Sequence, residues 1–159
     1  MGNDPMLEMF IFENTQLTDR LEEVLLEGEQ LGTFTEEHIN EIFRIMHTIK
    51  GSAAMMEYNR IATLGHAVED MFFYIRENED VNPDWSAIAD LCLDSADFFK
   101  QEVGKIQQGL ESDGDETVLL GRIEQYMGVL TGAAAEEEDE ELEEEEYEDE
   151  EPEEHDEAQ

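Results

Sequence analysis

Positive charge is what this sequence lacks most. Only 8 Lys and Arg stand against 45 Asp and Glu in 159 residues, a formal net charge of −37. A chain so negative repels phosphate backbones, which excludes nucleic-acid binding through counterion release. It disfavours anionic membrane surfaces for the same reason. Apolar runs of 18 or more residues are absent, so no segment reads as a bilayer span. The opening Met1-Gly2-Asn3-Asp4-Pro5 has no basic region followed by an apolar stretch, so no secretory signal is read there. Met6 stands where a myristoylation pattern wants Ser or Thr. Cys92 is the only cysteine, which excludes an internal disulfide and makes a reducing cytoplasm the expected compartment.

The charge is uneven. Residues 133–159 hold 18 acids and no Lys or Arg, whereas residues 1–132 hold 27 acids and all 8 bases, a net of −19. The reading is a two-part chain: a body over residues 1–132, long enough for a real core, and an acidic tail over 133–159. From Glu136 to Glu151 the tail is broken only by Leu142 and Tyr147. Such a segment cannot bury enough apolar area to offset its ordering entropy, so it is expected to be a disordered, solvating tail or linker. A metal-ion sponge and a docking tail for a basic partner are the sharper alternatives.

Only three prolines occur in the chain, strand-like alternation is missing, and the body reads as helix. A first helix is expected over residues 5–29, with Asp4 as cap, Pro5 in the first turn, and Phe10, Leu17, Leu21, Val24 and Leu25 inward. A second starts near Thr35, where His38 occupies the capping-box position that wants Glu or Gln. It carries Ile42, Ile45, Met46, Ile49, Ala53 and Met56 as its stripe. A third covers residues 59–77, with Ile61, Leu64, Val68, Met71, Phe72 and Ile75 inward. Asn82-Pro83-Asp84 reads as a cap, a first-turn proline and an early acid opening a fourth helix. That helix buries Ile88, Leu91, Cys92, Phe98, Phe99, Val103 and Ile106. A shorter fifth places Val118, Leu119, Ile123, Met127 and Leu130 inward. The fold expected is all-α: an up-and-down antiparallel four-helix bundle with an additional C-terminal fifth helix.

The informative stretch is Met46-His47-Thr48-Ile49-Lys50-Gly51-Ser52-Ala53-Ala54. At about 100° per residue, His47 falls roughly 140° from the centre of the apolar stripe near Ile42, and Gly51 about 180° from it. His47 therefore points outward at mid-helix, with Lys50 and Gly51 as its surface neighbours. Glycine inside a helix costs on the order of 1 kcal/mol against alanine. Here it clears an approach to the ring, while Lys50 supplies a positive charge. An exposed imidazole so placed suits accepting and passing on a phosphoryl group, because neutral imidazole is a competent nucleophile near neutral pH. Spacing alone leaves open an ordinary exposed histidine with an incidental lysine and glycine.

The run His47-Thr48-Ile49-Lys50-Gly51-Ser52-Ala53 resembles the phosphoacceptor signature of histidine phosphotransfer (HPt) domains. More narrowly, residues 5–130 resemble the N-terminal phosphotransfer domain of CheA-type chemotaxis histidine kinases. The narrower likeness rests on the opening Leu7-Glu8-Met9-Phe10-Ile11, the approach from Ile39 to Arg44, and His66-Ala67-Val68-Glu69 on the next helix. The resemblance implies that His47 is phosphorylated on its solvent-facing nitrogen. Glu69 would accept from the other ring nitrogen, Lys50 and His66 would complete the polar network, and Gly51 would keep access open. The spacing is compatible, since Ala62, His66, Glu69 and Phe73 share a secondary face of the third helix. Where the family commonly has Gly-Phe at the end of the second helix, Glu57-Tyr58 stand instead.

The expected function is thus the phosphotransfer domain of a chemotaxis histidine kinase. It would receive a phosphoryl group from an ATP-binding kinase domain and pass it to an aspartate of a response-regulator receiver domain. This chain would be no enzyme by itself and would hold no cofactor, with ATP and Mg²⁺ on the partner domains. The alternatives are a stand-alone phosphorelay protein and an acidic helical binding module that is never phosphorylated. A di-iron bundle needs Glu-x-x-His, which the body lacks: Arg44, Thr63 and Thr35 stand three residues before its three histidines.

Overall fold

The computed structural model describes residues 4–132; the acidic segment 133–159 and the first three residues lie outside the described part. Among the described residues five helices follow one another: α1 Pro5–Leu31, α2 Glu36–Met55, α3 Asn59–Glu77, α4 Trp85–Gln107 and α5 over 117–132.

Local chemistry sets each boundary. Asp4 caps α1, its carboxylate accepting from the backbone N–H of Met6 at 3.0 Å and of Leu7 at 3.4 Å, with Pro5 in the first turn. The helix runs two residues past the expected end and stops at Gly32, whose φ of +80° is open to glycine without strain. At the start of α2 the capping box is complete, which corrects the sequence expectation. Thr35 Oγ1 accepts from the His38 N–H, and His38 Nδ1 accepts from the Thr35 N–H at 3.2 Å, so an imidazole does what Glu or Gln does elsewhere. The cap of α4 is Asp84, not Asn82, and Pro83 precedes the helix; the Asp84 carboxylate accepts from the Ala87 N–H.

The turn between α2 and α3 explains the missing glycine. Glu57 adopts φ +64°, the left-handed conformation that glycine takes most easily. Its N–H donates to the Ala54 carbonyl, and the Tyr58 N–H to the Ala53 carbonyl at 2.8 Å. The turn therefore closes on α2 although a side chain is carried through it.

The core lies along the bundle axis. Leu21, Val24 and Leu25 of α1, Ile42, Met46 and Ile49 of α2, Ile61, Leu64, Val68, Met71 and Phe72 of α3, and Ile88 and Cys92 of α4 are fully buried. Each such side chain contributes roughly 1.5–3 kcal/mol relative to exposure. Leu17, Met56 and Met127 are only half-buried, and Val118 is exposed rather than inward. α2 packs chiefly on α3, α1 on α4 and then α2, and α3 on α4 least, the neighbour order of an up-and-down bundle. Between helices, Arg20 bridges to Glu41 and Lys100 to Glu22. α5 runs back along α4: Arg122 pairs with Asp94 at 2.7 Å, and the Tyr126 hydroxyl accepts from the Asp84 N–H at 2.6 Å.

The loop before α5 is pinned by a buried carboxylate that the periodicity gave no hint of. Glu102 of α4 is 1% exposed and accepts from the Ser112 hydroxyl at 2.8 Å and the Gly114 N–H at 2.9 Å, while the Lys105 ammonium lies 3.0 Å away. A side chain at position 114 would collide with that carboxylate, so the loop needs glycine there. From α3, Arg60 donates to the carbonyls of Asp113 and Gly114.

Candidate functional site

The centre of α2 presents His47 to solvent, its side chain 65% exposed. The buried stripe of Ile42, Ile45, Met46, Ile49 and Ala53 fixes that orientation, since His47 lies between its rows on the other side of the helix. α3 brings Glu69 to it. His47 Nδ1 lies 2.5 Å from Glu69 Oε2, and Lys50 Nζ lies 2.6 Å from Glu69 Oε1. One carboxylate thus holds two cation-capable groups from the neighbouring helix, one on each oxygen.

The electrostatics define the ring's tautomer. Burial pushes the Glu69 carboxyl upward, but the Lys50 ammonium and then the His47 ring outweigh that and hold it below the ordinary carboxylate range. An ionised carboxylate is an acceptor only, so Nδ1 carries the hydrogen. In the neutral ring, Nε2 then carries the lone pair, on the edge that does not face Glu69.

The other expected site residues fall out differently. Gly51 is exposed one turn after His47, and a Cβ built there meets nothing within 4 Å. Nothing inside the described residues requires glycine at 51, so its helix penalty has no internal compensation. With Ala54 and Met55, both exposed, it forms a low apolar face on the C-terminal side of His47. His66 is not in the network around His47: its ring is 58% exposed and pairs with Asp70 at 3.3 Å on its own helix. One turn separates it from Glu69, and its Nε2 turns outward to the next acid.

Sequence reasoning placed Phe73 on the face of Glu69 but missed Phe43 and Arg76. Phe43, one turn before His47, stacks beside it with ring centroids 6.4 Å apart and planes 15° apart. Phe73 of α3 lies 6.1 Å from Phe43, and the Arg76 guanidinium sits 4.2 Å over the Phe43 ring. The signal was present as i, i+4 spacing of Phe43 to His47 and of Glu69 to Phe73. Among the described residues His66, Glu69 and Asp70 bring three metal-capable atoms within 4.8 Å of one another. The Glu69 carboxylate there is already held by His47 and Lys50, so this grouping offers a metal two exposed surface ligands.

Comparisons with known proteins bear on this arrangement. The model of the Hpt domain family matches residues 5–112. The chain is 36% identical over 136 residues to the chemotaxis protein CheA of Treponema pallidum, covering 84% of this chain and 16% of that protein. It is 32% identical over 128 residues to CheA of Borreliella burgdorferi, covering 80% of this chain and 14% of that one. The chain therefore spans about one-sixth of the length of these relatives. In fold it is similar to the phosphorylated P1 domain of CheA3 from R. sphaeroides, solved in complex with CheY6. That likeness has a TM-score of 0.70 and 20% identity, covering 82% of this chain and 99% of the solved one.

Proposed function

The chain belongs to the Hpt domain family, and on that premise we propose that His47 is its phosphoacceptor, serving a CheA-type chemotaxis kinase. The observation that carries the reading is the Glu69 carboxylate, buried and held ionised, on the Nδ1 side of a solvent-exposed imidazole. It fixes the nucleophilic lone pair on Nε2, where a phosphoryl donor can reach it.

The step balances simply. The Nε2 lone pair attacks the γ-phosphorus of ATP held by a kinase domain, the bond to the bridging oxygen breaks, and ADP leaves. The proton stays on Nδ1, so the phosphorylated ring is an imidazolium that Glu69 stabilises. In the second step an aspartate oxygen of a receiver domain attacks the same phosphorus, and the N–P bond breaks. His47 returns to its starting tautomer without having exchanged a proton. Lys50 offsets phosphoryl charge, and Mg²⁺ and ATP belong to the partners. The chain contributes an oriented nucleophile and a docking face, and the catalytic apparatus lies with the kinase and receiver.

Gly51, Ala54 and Met55 form the low face that a receiver surface can approach closely. With the body at −19, docking there relies on apolar contact rather than broad attraction. A cytoplasmic setting follows from these partners; no helix among the described residues is long and apolar enough to cross a membrane.

Phosphoramidate treatment followed by intact-mass measurement tests the reading. A single acid-labile phosphoryl gain, absent in His47→Gln and removed by a receiver domain with Mg²⁺, is the expected result. A gain that persists in His47→Gln, or that no receiver removes, overturns it.

A further inference from the structure

The eight cations of this chain are distributed in a telling way. Six are engaged: Arg20 with Glu41, Lys50 with Glu69, Lys100 with Glu22, Lys105 with Glu102 and Asp113, Arg122 with Asp94, and Arg60 with two loop carbonyls. The remaining two are Arg44 and Arg76. Among the described residues neither donates a side-chain hydrogen bond within the usual distance. Arg76 has only its sequence neighbour Glu77, at 3.5 Å from Nε, and Arg44 has no ion pair. In a protein with 45 acids, an arginine with no ion pair and another held only by a long contact to its sequence neighbour are unexpected, and both lie on the N-terminal side of His47.

Their placement is built. Arg44 is exposed and stands three residues before His47, its surface neighbour on α2. Arg76 comes from α3 and is stacked on Phe43 at 4.2 Å and near Phe73 at 5.6 Å. An aromatic face orients a guanidinium without consuming its N–H donors, so the fork stays available. Phe43 in turn stacks beside the His47 ring. Arg44 on α2 and the Arg76 guanidinium over Phe43 both belong to the N-terminal side of His47, opposite the apolar face of Gly51, Ala54 and Met55.

We propose that Arg44 and Arg76 form a phosphate-binding pair for the nucleotide that phosphorylates His47. The ligand class is the triphosphate tail of a nucleoside triphosphate presented by the kinase partner. The proposal rests on His47 being the phosphoacceptor. When Nε2 faces the γ-phosphorus, the α- and β-phosphates extend several ångströms further on. Cations one helical turn from the ring suit that departing diphosphate, whereas Lys50, held at Glu69, stays with the transferred group. Arginine is the residue for this task because its planar fork meets two phosphate oxygens at once. The receiver brings no nucleotide, so the pair serves donation and is spectator to the onward transfer.

The test separates the two steps in the full chain. Wild type, Arg44→Ala/Arg76→Ala and Arg44→Lys/Arg76→Lys are phosphorylated by a CheA-type kinase core with MgATP. Each is also charged with phosphoramidate and then mixed with a receiver domain. The double alanine variant is expected to lose at least tenfold in kcat/KM for the kinase reaction, mostly in KM, with partial recovery in the lysine variant. Its receiver step should stay within twofold of wild type, and its thermal unfolding should match. An unchanged kinase reaction overturns the proposal, and so does an equal loss in both steps, which would make the arginines receiver-docking or structural groups. Failure of wild type itself to be phosphorylated by either route would instead remove the phosphoacceptor reading on which the pair depends.

Discussion

Two buried glutamates in this bundle share nearly the same equipment and have opposite uses. Glu69 on α3 and Glu102 on α4 are 5% and 1% exposed, and each carries a lysine within 3.0 Å. Both carboxyls are pushed up by burial and pulled further down by their partners, so both end below the ordinary range. The difference lies in the remaining bonds. Glu102 closes on a backbone N–H and a serine hydroxyl of its own loop, partners fixed in place. Glu69 closes on a ring that is 65% exposed and free on its far edge. A buried carboxylate whose partners are all internal holds a fold together. One with a solvent-facing partner orients a ring whose far edge stays open.

The largest effect expected from breaking this comparison is on the structural member. Glu102→Ala leaves the Ser112 hydroxyl and the Gly114 N–H without their acceptor and should lower stability by about 3 kcal/mol, measured by urea unfolding. His47 should still be phosphorylated by phosphoramidate in the folded fraction; loss of labelling there would mean the two carboxylates are not separable.

Glu69→Gln sharpens the other side. A charge-assisted hydrogen bond is worth roughly 1.5–3 kcal/mol, which corresponds to about a 10–100-fold slower phosphorylation of His47 if it acts in the transition state. Its cost in stability should be smaller than that of Glu102→Ala. The reverse order in unfolding measurements would show that Glu69 is mainly structural.

Acid treats both carboxylates alike. Each has a folded pKa below its unfolded value, so the stability it contributes is complete above the ordinary carboxyl value of 4.5 and is lost as pH falls through the depressed folded value. Unfolding free energy measured from pH 6 down to pH 3 should fall, and Glu102→Gln should flatten that fall. An unchanged slope in Glu102→Gln would show that its carboxyl is not depressed in the folded state.

The smallest effect concerns Gly51. Because a Cβ there touches nothing, Gly51→Ala should raise stability by up to about 1 kcal/mol. Transfer from phosphorylated His47 to a receiver should nonetheless slow, since a methyl group stands on the approach face. A stabilised variant with unchanged transfer would remove Gly51 from the docking face.

Much of the bundle was legible in the sequence, because burial on a helix has a period that letters display. The inward sets of α3 and α4 are buried as their spacing predicts. The failures are polar. Asn14, Thr18 and Glu102 are buried inside helices where a polar letter reads as surface, because their partners are carbonyls, Ser52 or a distant loop that no periodicity shows. His38 does not read as a capping-box residue because the usual motif names carboxylates and amides, although a ring nitrogen accepts the same N–H. At the site, the exposure of His47 followed from its angle on α2, while the pairing with Glu69 came only from family resemblance. His66, which the resemblance joins to the same network, pairs with Asp70 on its own helix.

The clamp on residues 112–114 also settles the direction in which α5 leaves its loop. Held by Glu102 and Arg60 at one end, α5 is sent back along α4 past Asp94 to Asp84, the residue that caps the start of α4. His47 is eleven residues up α2 from Glu36, about 16 Å along the axis. His47 on α2 and the returning α5 are thus carried by one stiff frame of packed helices, like a tool head and its handle.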